Sequence, residues 1–224
     1  MRIALLMDDN SYAGREYLSK LYEFNFIIET ITIGKNQEIN IKEEERCGGH
    51  WKPTSQIEIK KHFKFINFES LKSPELYNYL STKQYDLCIQ GGTGILNDKI
   101  INSFTNGILN FHPGLLPYYR GCSAPEWQLF ENKEIISTCH FIDSGIDTGP
   151  ILMNKILEVN LKSYELFRAS IYPLTAIFVS EVIKLILDHP ISLLKVKNQN
   201  HSEAIYRKYI GDEKILYLKS LLAK

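Results

Sequence analysis

Apolar residues fall in short runs, separated by stretches in which they recur three or four positions apart. The runs RIALLM (2–7), FIIETITI (26–33), FKFINF (63–68), DLCIQ (86–90), GILNF (107–111) and STCHFI (137–142) are rich in β-branched and aromatic residues and read as strands. Between several of them lie AGREYLSKLYEF (13–24), SPELYNYLSTK (73–83), LNDKIINSF (96–104) and APEWQLFENK (124–133), which carry helical spacing. Apolar strands alternating with helices predict an α/β fold whose doubly wound, mostly parallel sheet is covered on both faces. After KILEVN (155–160), Ser163 is placed to cap a long amphipathic helix that runs to about 188 and packs on the sheet, kinked at Pro173. The chain beyond is more polar and ends in a short helical pattern. The expected organisation is one α/β domain over residues 1–190 with a short C-terminal extension, 191–224, packed on it. The sharpest change of composition is INIKEEERCGGHWKPTSQ (39–56), which reads as a long loop. In it Trp51 and His50 are either an anchoring aromatic and an exposed neighbour, or substrate contacts.

Composition narrows the picture. The chain has 224 residues, 44% hydrophobic and 23% charged, an ordinary globular balance with room for a sizeable core. Its 26 basic and 26 acidic side chains cancel, so no global positive field draws it to nucleic acid or an anionic membrane. Cys47, Cys88, Cys122 and Cys139 lie far apart without a C-x-x-C pair, and no histidine stands at metal-ligand spacing, so reduced thiols and no metal are expected. The start, MRIALLMDDN, does not have the form of a signal peptide, and no run reaches the roughly 18 apolar residues of a membrane span. These features point to a cytoplasmic location.

The chemistry concentrates in NFHPGLLPYYRG (110–121). Strand side chains alternate, so Asn110 and His112 share one face while Phe111 points to the other. Pro113 lacks an N–H and holds His112 extended, which ends the strand there. Open α/β sheets bind ligands at the carboxyl ends of their strands. A second constellation, CHFIDSGIDTGPIL (139–152), offers Asp143 and Asp147, each of which could equally be a turn former. Consecutive parallel strands lie near one another, so this loop is expected to reach His112 from a neighbouring strand end. Neither Cys122 nor Ser123 has the context of an activated nucleophile, and direct transfer fits better than a covalent enzyme intermediate. An imidazole can take a proton from an attacking amine, an amide can donate to an oxyanion, and a carboxylate can tune the imidazole.

These two segments, with APEW between them, resemble the hallmark of the folate-dependent formyltransferases, closely over residues 85–160 and loosely over the whole α/β domain. The resemblance implies a Rossmann-like formyltransferase fold and transfer of a formyl group from 10-formyltetrahydrofolate, a co-substrate, to a primary amine through a tetrahedral intermediate. It implies that Asn110 bonds the oxyanion, that His112 acts as general base or as a stabilising imidazolium, and that Asp147 tunes His112 and relays protons. Asp143 remains a loop residue. GGTGIL (91–96) looks like the loop that lines the pterin. Gly94 stands where purine-pathway members carry arginine; Ile95, Leu96 and Ile142 would wall the ring; backbone groups near Asp143 and Gly145 would read its edge. Gly114, Leu115, Leu116 and Pro117 would turn beside it.

Three branches of the family differ in the amine they formylate. Methionyl-tRNA formyltransferases carry a C-terminal barrel that helps hold tRNA, whereas about 64 residues follow KILEVN here. Glycinamide ribonucleotide transformylases cradle a phosphate after the first strand, where this chain has Asp8 and Asp9. The expectation is therefore a sugar N-formyltransferase acting on a nucleotide-linked amino sugar, bound by the catalytic domain or across a homodimer. Arg15, Arg120 and the segment 42–53 are candidate contacts, although Arg120 could instead brace its own loop. Glycinamide ribonucleotide formylation, hydrolysis of 10-formyltetrahydrofolate and a folate-binding scaffold are the alternatives.

Overall fold

A computed structural model of the chain describes residues 1–26, 28–34 and 41–223. Ile27 of the predicted strand 26–33, and residues 39 and 40 of the predicted loop, lie outside that description. In chain order the elements begin β1 (Ile3–Asp8), α1 (Tyr12–Glu23), β2 (Glu29–Ile33), α2 (Ile41–Arg46), α3 (Gln56–Lys60), β3 (Phe65–Phe68), α4 (Pro74–Lys83), β4 (Leu87–Gln90), α5 (Asp98–Ile101) and β5 (Ile108–His112). They continue with β6 (Arg120–Gly121), α6 (Ala124–Phe130), β7 (Ile136–Phe141), β8 (Ile151–Ile156), α7 (Tyr164–Asp188), β9 (Tyr206–Arg207) and α8 (Asp212–Leu222).

A seven-stranded sheet runs in the order β3-β2-β1-β4-β5-β7-β8. Its first five strands are parallel, as the apolar runs predict. The last two are antiparallel, β7 to β5 and β8 to β7. Running 137–142 as one more parallel strand is therefore corrected. The connection from β5 to β7 passes through β6 and α6, and the chain returns in the opposite direction. Strand β8 is absent from the sequence reading because ILMNKI, half exposed along its length at the sheet edge, shows neither a continuous apolar run nor clean alternation.

One core lies between the sheet and α1 and α7, with Leu5, Leu18, Leu21, Phe178 and Val179 fully buried. The other lies under α4 and α5, with Leu6, Ile31, Leu76, Leu80 and Ile100. Each such side chain contributes about 1.5–3 kcal/mol of burial. The helix starts are those the capping residues announce: Ser73 accepts from the Leu76 amide and Ser163 from the Leu166 amide. Helix α7 runs unbroken through Pro173 and, by length and composition, is apolar enough to cross a membrane, which corrects the expectation that no segment reaches that threshold. Half of its most apolar stretch is buried against the rest of the fold.

The long loop 39–56 is corrected as well. Residues 41–46 are helical, and Trp51 is an anchor, stacked on Tyr172 at 4.8 Å and edge-on to Tyr12 at 5.9 Å, while His50 is exposed. The segment after α7 crosses back over the molecule. Strand β9 pairs with β6, and α8 packs against α6 and α7.

Candidate active site

The carboxyl ends of β4 and β5 open into a cleft of about 230 Å3. The loop after β4 forms one wall and is tied to β1, because Gly91 donates to the Leu6 carbonyl at 2.8 Å and Asp8 to the Gly92 carbonyl at 3.0 Å. Gln90, Thr93, Gly94, Ile95 and Leu96 line this side; Asn110, His140, Ile142, Asp143, Gly145, Ile146 and Asp147 line the other. Ile95 is 77% exposed and Ile146 46% exposed. Large apolar side chains held open at a cleft gain by covering a flat, apolar ligand surface.

Asn110 and His112 share the face that alternation assigns them, and Phe111 packs in the core on the other side. How Asp147 reaches them differs from the expectation. Because β7 is antiparallel, Asn110 pairs with His140 and His112 with Thr138, so the chain leaves β7 heading away from His112. Residues 142–149 must double back. The return is fixed by an Asx turn, in which the Asp143 Oδ1 accepts from the Gly145 amide at 3.1 Å and from the Thr148 hydroxyl. It also requires glycine at 149, where a Cβ would overlap the Phe141 carbonyl. Asp147 ends in the left-handed region, φ 54°, with its Oδ2 accepting from the Gly121 amide at 2.8 Å.

In this arrangement Asp147 sits between two imidazoles. Its Oδ2 lies 3.6 Å from His112 Nδ1 and its Oδ1 3.7 Å from His140 Nε2. His112 Nε2 donates to the Tyr119 carbonyl at 2.6 Å, which leaves Nδ1 as the basic nitrogen, facing Asp147. Gly114 makes room for that ring, since a Cβ there would stand 2.7 Å from His112 Nε2. His140 Nδ1 donates to the Phe141 carbonyl at 2.9 Å, so its Nε2 accepts from the Asn110 amide at 3.1 Å. Burial drives the His140 pKa down to about 4, against the pull of Asp147. His140 is thus a neutral acceptor that fixes the Asn110 amide and leaves its second N–H to point elsewhere.

His140 escapes the sequence reading because it stands inside an apolar strand, where one histidine is an ordinary core residue. The missing signal is the antiparallel register, which sets it opposite Asn110. Of the other residues singled out, Asn110, Asp147, Gly94, Ile95, Leu96, Ile142, Asp143 and Gly145 come together in the cleft. Gly114, Leu115, Leu116 and Pro117 do not line it. Leu116 is buried with its amide on Thr138 Oγ1 at 3.2 Å, and Leu115 borders a separate cavity. Arg15 is buried beneath Tyr12 and reaches the Thr54 carbonyl. Arg120 is buried as a brace: its Nε and Nη2 donate to Gln199 Oε1 at 3.2 and 2.7 Å. Gln199, which the sequence reading also passes over, donates in turn to the carbonyls of Asp147 at 3.0 Å and Gly149 at 2.7 Å. None of the four cysteines is paired, and among the described residues no group of His, Cys, Asp or Glu is arranged to hold a metal ion.

Comparison with known proteins gives the site a context. The methionyl-tRNA formyltransferase of Thermotoga maritima is 29% identical over 167 residues, covering 73% of this chain and 52% of that protein. The chain spans about half the length of the curated relatives it matches. Among solved structures, a 4-N formyltransferase from Francisella tularensis superposes with a TM-score of 0.63 at 21% identity, covering 98% of this chain and 87% of that one. An N-formyltransferase from Helicobacter canadensis, in complex with folinic acid and dTDP-3-aminofucose, gives 0.63 at 18% identity, covering 92% and 70%. Glycinamide ribonucleotide transformylase 1 from Symbiobacterium toebii gives 0.60 at 20%, covering 89% and 94%. These likenesses establish the formyltransferase fold. Residues 1–165 match the model of the family described as formyl transferase, which is most of the chain, and the protein belongs to that family.

Proposed function

We propose that the protein is an N-formyltransferase that moves the formyl group of 10-formyltetrahydrofolate to a primary amine, and that this amine belongs to a nucleotide-linked amino sugar. The observation that carries formyl transfer is Asp147, set with Asn110 at a cleft with exposed apolar walls and facing His112 Nδ1 through its Oδ2. Ile95 and Ile146 suit a flat heterocycle, and the turn at Asp143 and Gly145, which lines the same cleft, suits its hydrogen-bonding edge. When bound, the folate supplies the formyl carbon and, at its N10, the leaving nitrogen. As the amine attacks, the proton it sheds passes to His112 Nδ1, where Asp147 stabilises the imidazolium. The Asn110 N–H not used by His140 donates to the oxygen on which charge develops. The proton held at His112 then returns to the departing nitrogen.

Incubation with 10-formyltetrahydrofolate and a panel of amines tests this reading. The panel holds dTDP-linked 3-amino and 4-amino deoxysugars, glycinamide ribonucleotide, methionyl-tRNA and a control without amine. A formylated sugar, identified by its mass, is the expected product. Formylated methionyl-tRNA as the only product would transfer the assignment to the activity of the curated relatives, and formate released without amine would make the protein a hydrolase.

A further inference from the structure

Two acceptors compete for the one N–H of a neutral His112 ring. The Tyr119 carbonyl lies 2.6 Å from Nε2, and the Asp147 carboxylate lies 3.6 Å from Nδ1. Only the first distance is that of a hydrogen bond. The second acceptor carries a full charge, however, and draws the proton to Nδ1 once the carbonyl withdraws. A ring protonated at Nδ1 keeps its lone pair on Nε2, on the side of Tyr119, and has no base left beside Asp147. Which nitrogen is basic therefore depends on how firmly the Tyr119 carbonyl is held.

That carbonyl is held through the backbone of residues 113–119. The Tyr119 amide donates to the Leu115 carbonyl at 3.1 Å, and the Leu115 amide donates to Gln128 Oε1 at 3.2 Å. Gln128, on α6 and 1% exposed, spends its whole amide on backbone. The same Oε1 accepts from the Ile136 amide at 3.2 Å, while Nε2 donates to the carbonyls of Pro113 at 3.2 Å and Ile136 at 3.3 Å. It thus joins the turn after β5 to the first residue of β7. Thr138, fully buried two residues further along β7, makes a second joint: its hydroxyl donates to the Gly114 carbonyl at 2.7 Å and accepts from the Leu116 amide at 3.2 Å. The far flank is tied by Ile205, which donates to the Pro117 carbonyl and accepts from the Arg120 amide, both at 3.1 Å. Gln128 and Thr138 line neither the folate-side cleft nor the cavity that His112 borders. We propose that they are positioning residues for the reaction: they fix the 113–119 turn and, through the Tyr119 carbonyl, keep the His112 proton on Nε2 and its lone pair on Nδ1. The role rests on the formyl-transfer reading given above, in which Nδ1 is the base.

The test uses the full chain and the variants Gln128→Met, Thr138→Val and Thr138→Ser. Thr138→Val keeps the shape of the buried side chain, so it serves if Gln128→Met does not fold. Imidazole 15N NMR at a pH about two units above the ordinary imidazole pKa separates protonated from unprotonated ring nitrogens, and the His112 signals are those missing from His112→Ala. Wild type should show the Nε2–H tautomer. Gln128→Met and Thr138→Val should each move most of the ring to Nδ1–H and lower kcat about tenfold or more, with KM for 10-formyltetrahydrofolate and for the accepted amine within about twofold. Thr138→Ser keeps the hydroxyl and should restore both tautomer and turnover. An unchanged Nε2–H tautomer in the folded variants would overturn the positioning role, whatever their turnover, and leave formyl transfer intact. A wild type that formylates no amine would instead remove the reading on which the role rests; the tautomer, measured without folate or amine, tells the two failures apart.

Discussion

Gln199 stands 52 residues beyond Asp147 in sequence, yet it braces the Asp147 loop. It is 7% exposed and makes four hydrogen bonds: two accepted from Arg120, itself 3% exposed, and two donated to the carbonyls of Asp147 and Gly149. Gln199→Leu removes all four and leaves the buried guanidinium, among the described residues, with only His201 Nδ1, 3.3 Å away. At roughly 1 kcal/mol for each neutral bond and about 2 for the charge-assisted pair, the loss comes to about 4 kcal/mol. For a chain of this size it lowers Tm by roughly 8–16 °C. Gln199→Glu separates the two halves of the clamp. Its carboxylate keeps Arg120 and bonds it more strongly, but it has no N–H for the loop and sets an oxygen against two carbonyl oxygens. That variant should melt within about 6 °C of wild type while turnover falls tenfold or more, since displacement of a catalytic group by about 1 Å costs up to ~100-fold. Amide exchange across residues 143–150 reads the loop without any substrate and should accelerate in both variants. Wild-type exchange rates over that segment in Gln199→Glu, with wild-type turnover, would refute the clamp.

Three further outcomes follow from the same geometry. His112→Ala and Asp147→Asn should each lower turnover at least ~100-fold with the fold retained, as circular dichroism and steady-state rates will show; near-normal rates in either would remove it from the chemistry. His140 is held neutral with its pKa lowered to about 4. The unfolded chain, at about 6.5, takes up the proton first, so this contribution is complete above pH 6.5, falls as pH drops toward 4, and reaches a loss of about 3 kcal/mol below that. Urea midpoints of wild type and His140→Asn at pH 7 and pH 4.5 should therefore converge at the lower pH, and a pH-independent gap would contradict it. Ile95→Asp, a change at an exposed side chain, should weaken folinic acid binding about tenfold or more without altering Tm; unchanged affinity would place the folate elsewhere.

The parallel part of the sheet was legible because most of its strands are apolar runs, and those of β1, β3 and β4 are followed by helices with side-chain caps, for which local pattern suffices. Asn110 and His112 were legible for the same reason, since two residues on one strand need only alternation to share a face. What the sequence hid is set by distant partners. The antiparallel return of β7, which places His140 against Asn110, depends on strand pairing that no local pattern encodes. The edge strand β8 has too mixed a pattern to stand out. Segment 39–56 looked like loop because its helices are short and polar, and Trp51 is anchored by aromatics from α1 and α7 that only the fold brings near. Gln199 lay in a stretch that read as polar trailing chain, and its meaning came from the buried arginine it meets.

The clamp also imposes an order on the birth of the protein. Every strand of the main sheet has been translated by residue 156, and Asn110, His112 and Asp147 are all in place along the chain by then. Further bonds to the catalytic loop come from Gln199 and from Tyr206, whose hydroxyl donates to the Ile146 carbonyl at 2.7 Å across 60 residues of sequence. At ~5–20 residues per second on a ribosome, the loop waits roughly 3–12 seconds after Ile146 is made for its last partner to be translated. A nascent chain can thus complete its sheet before the segment that braces the Asp147 loop has been made.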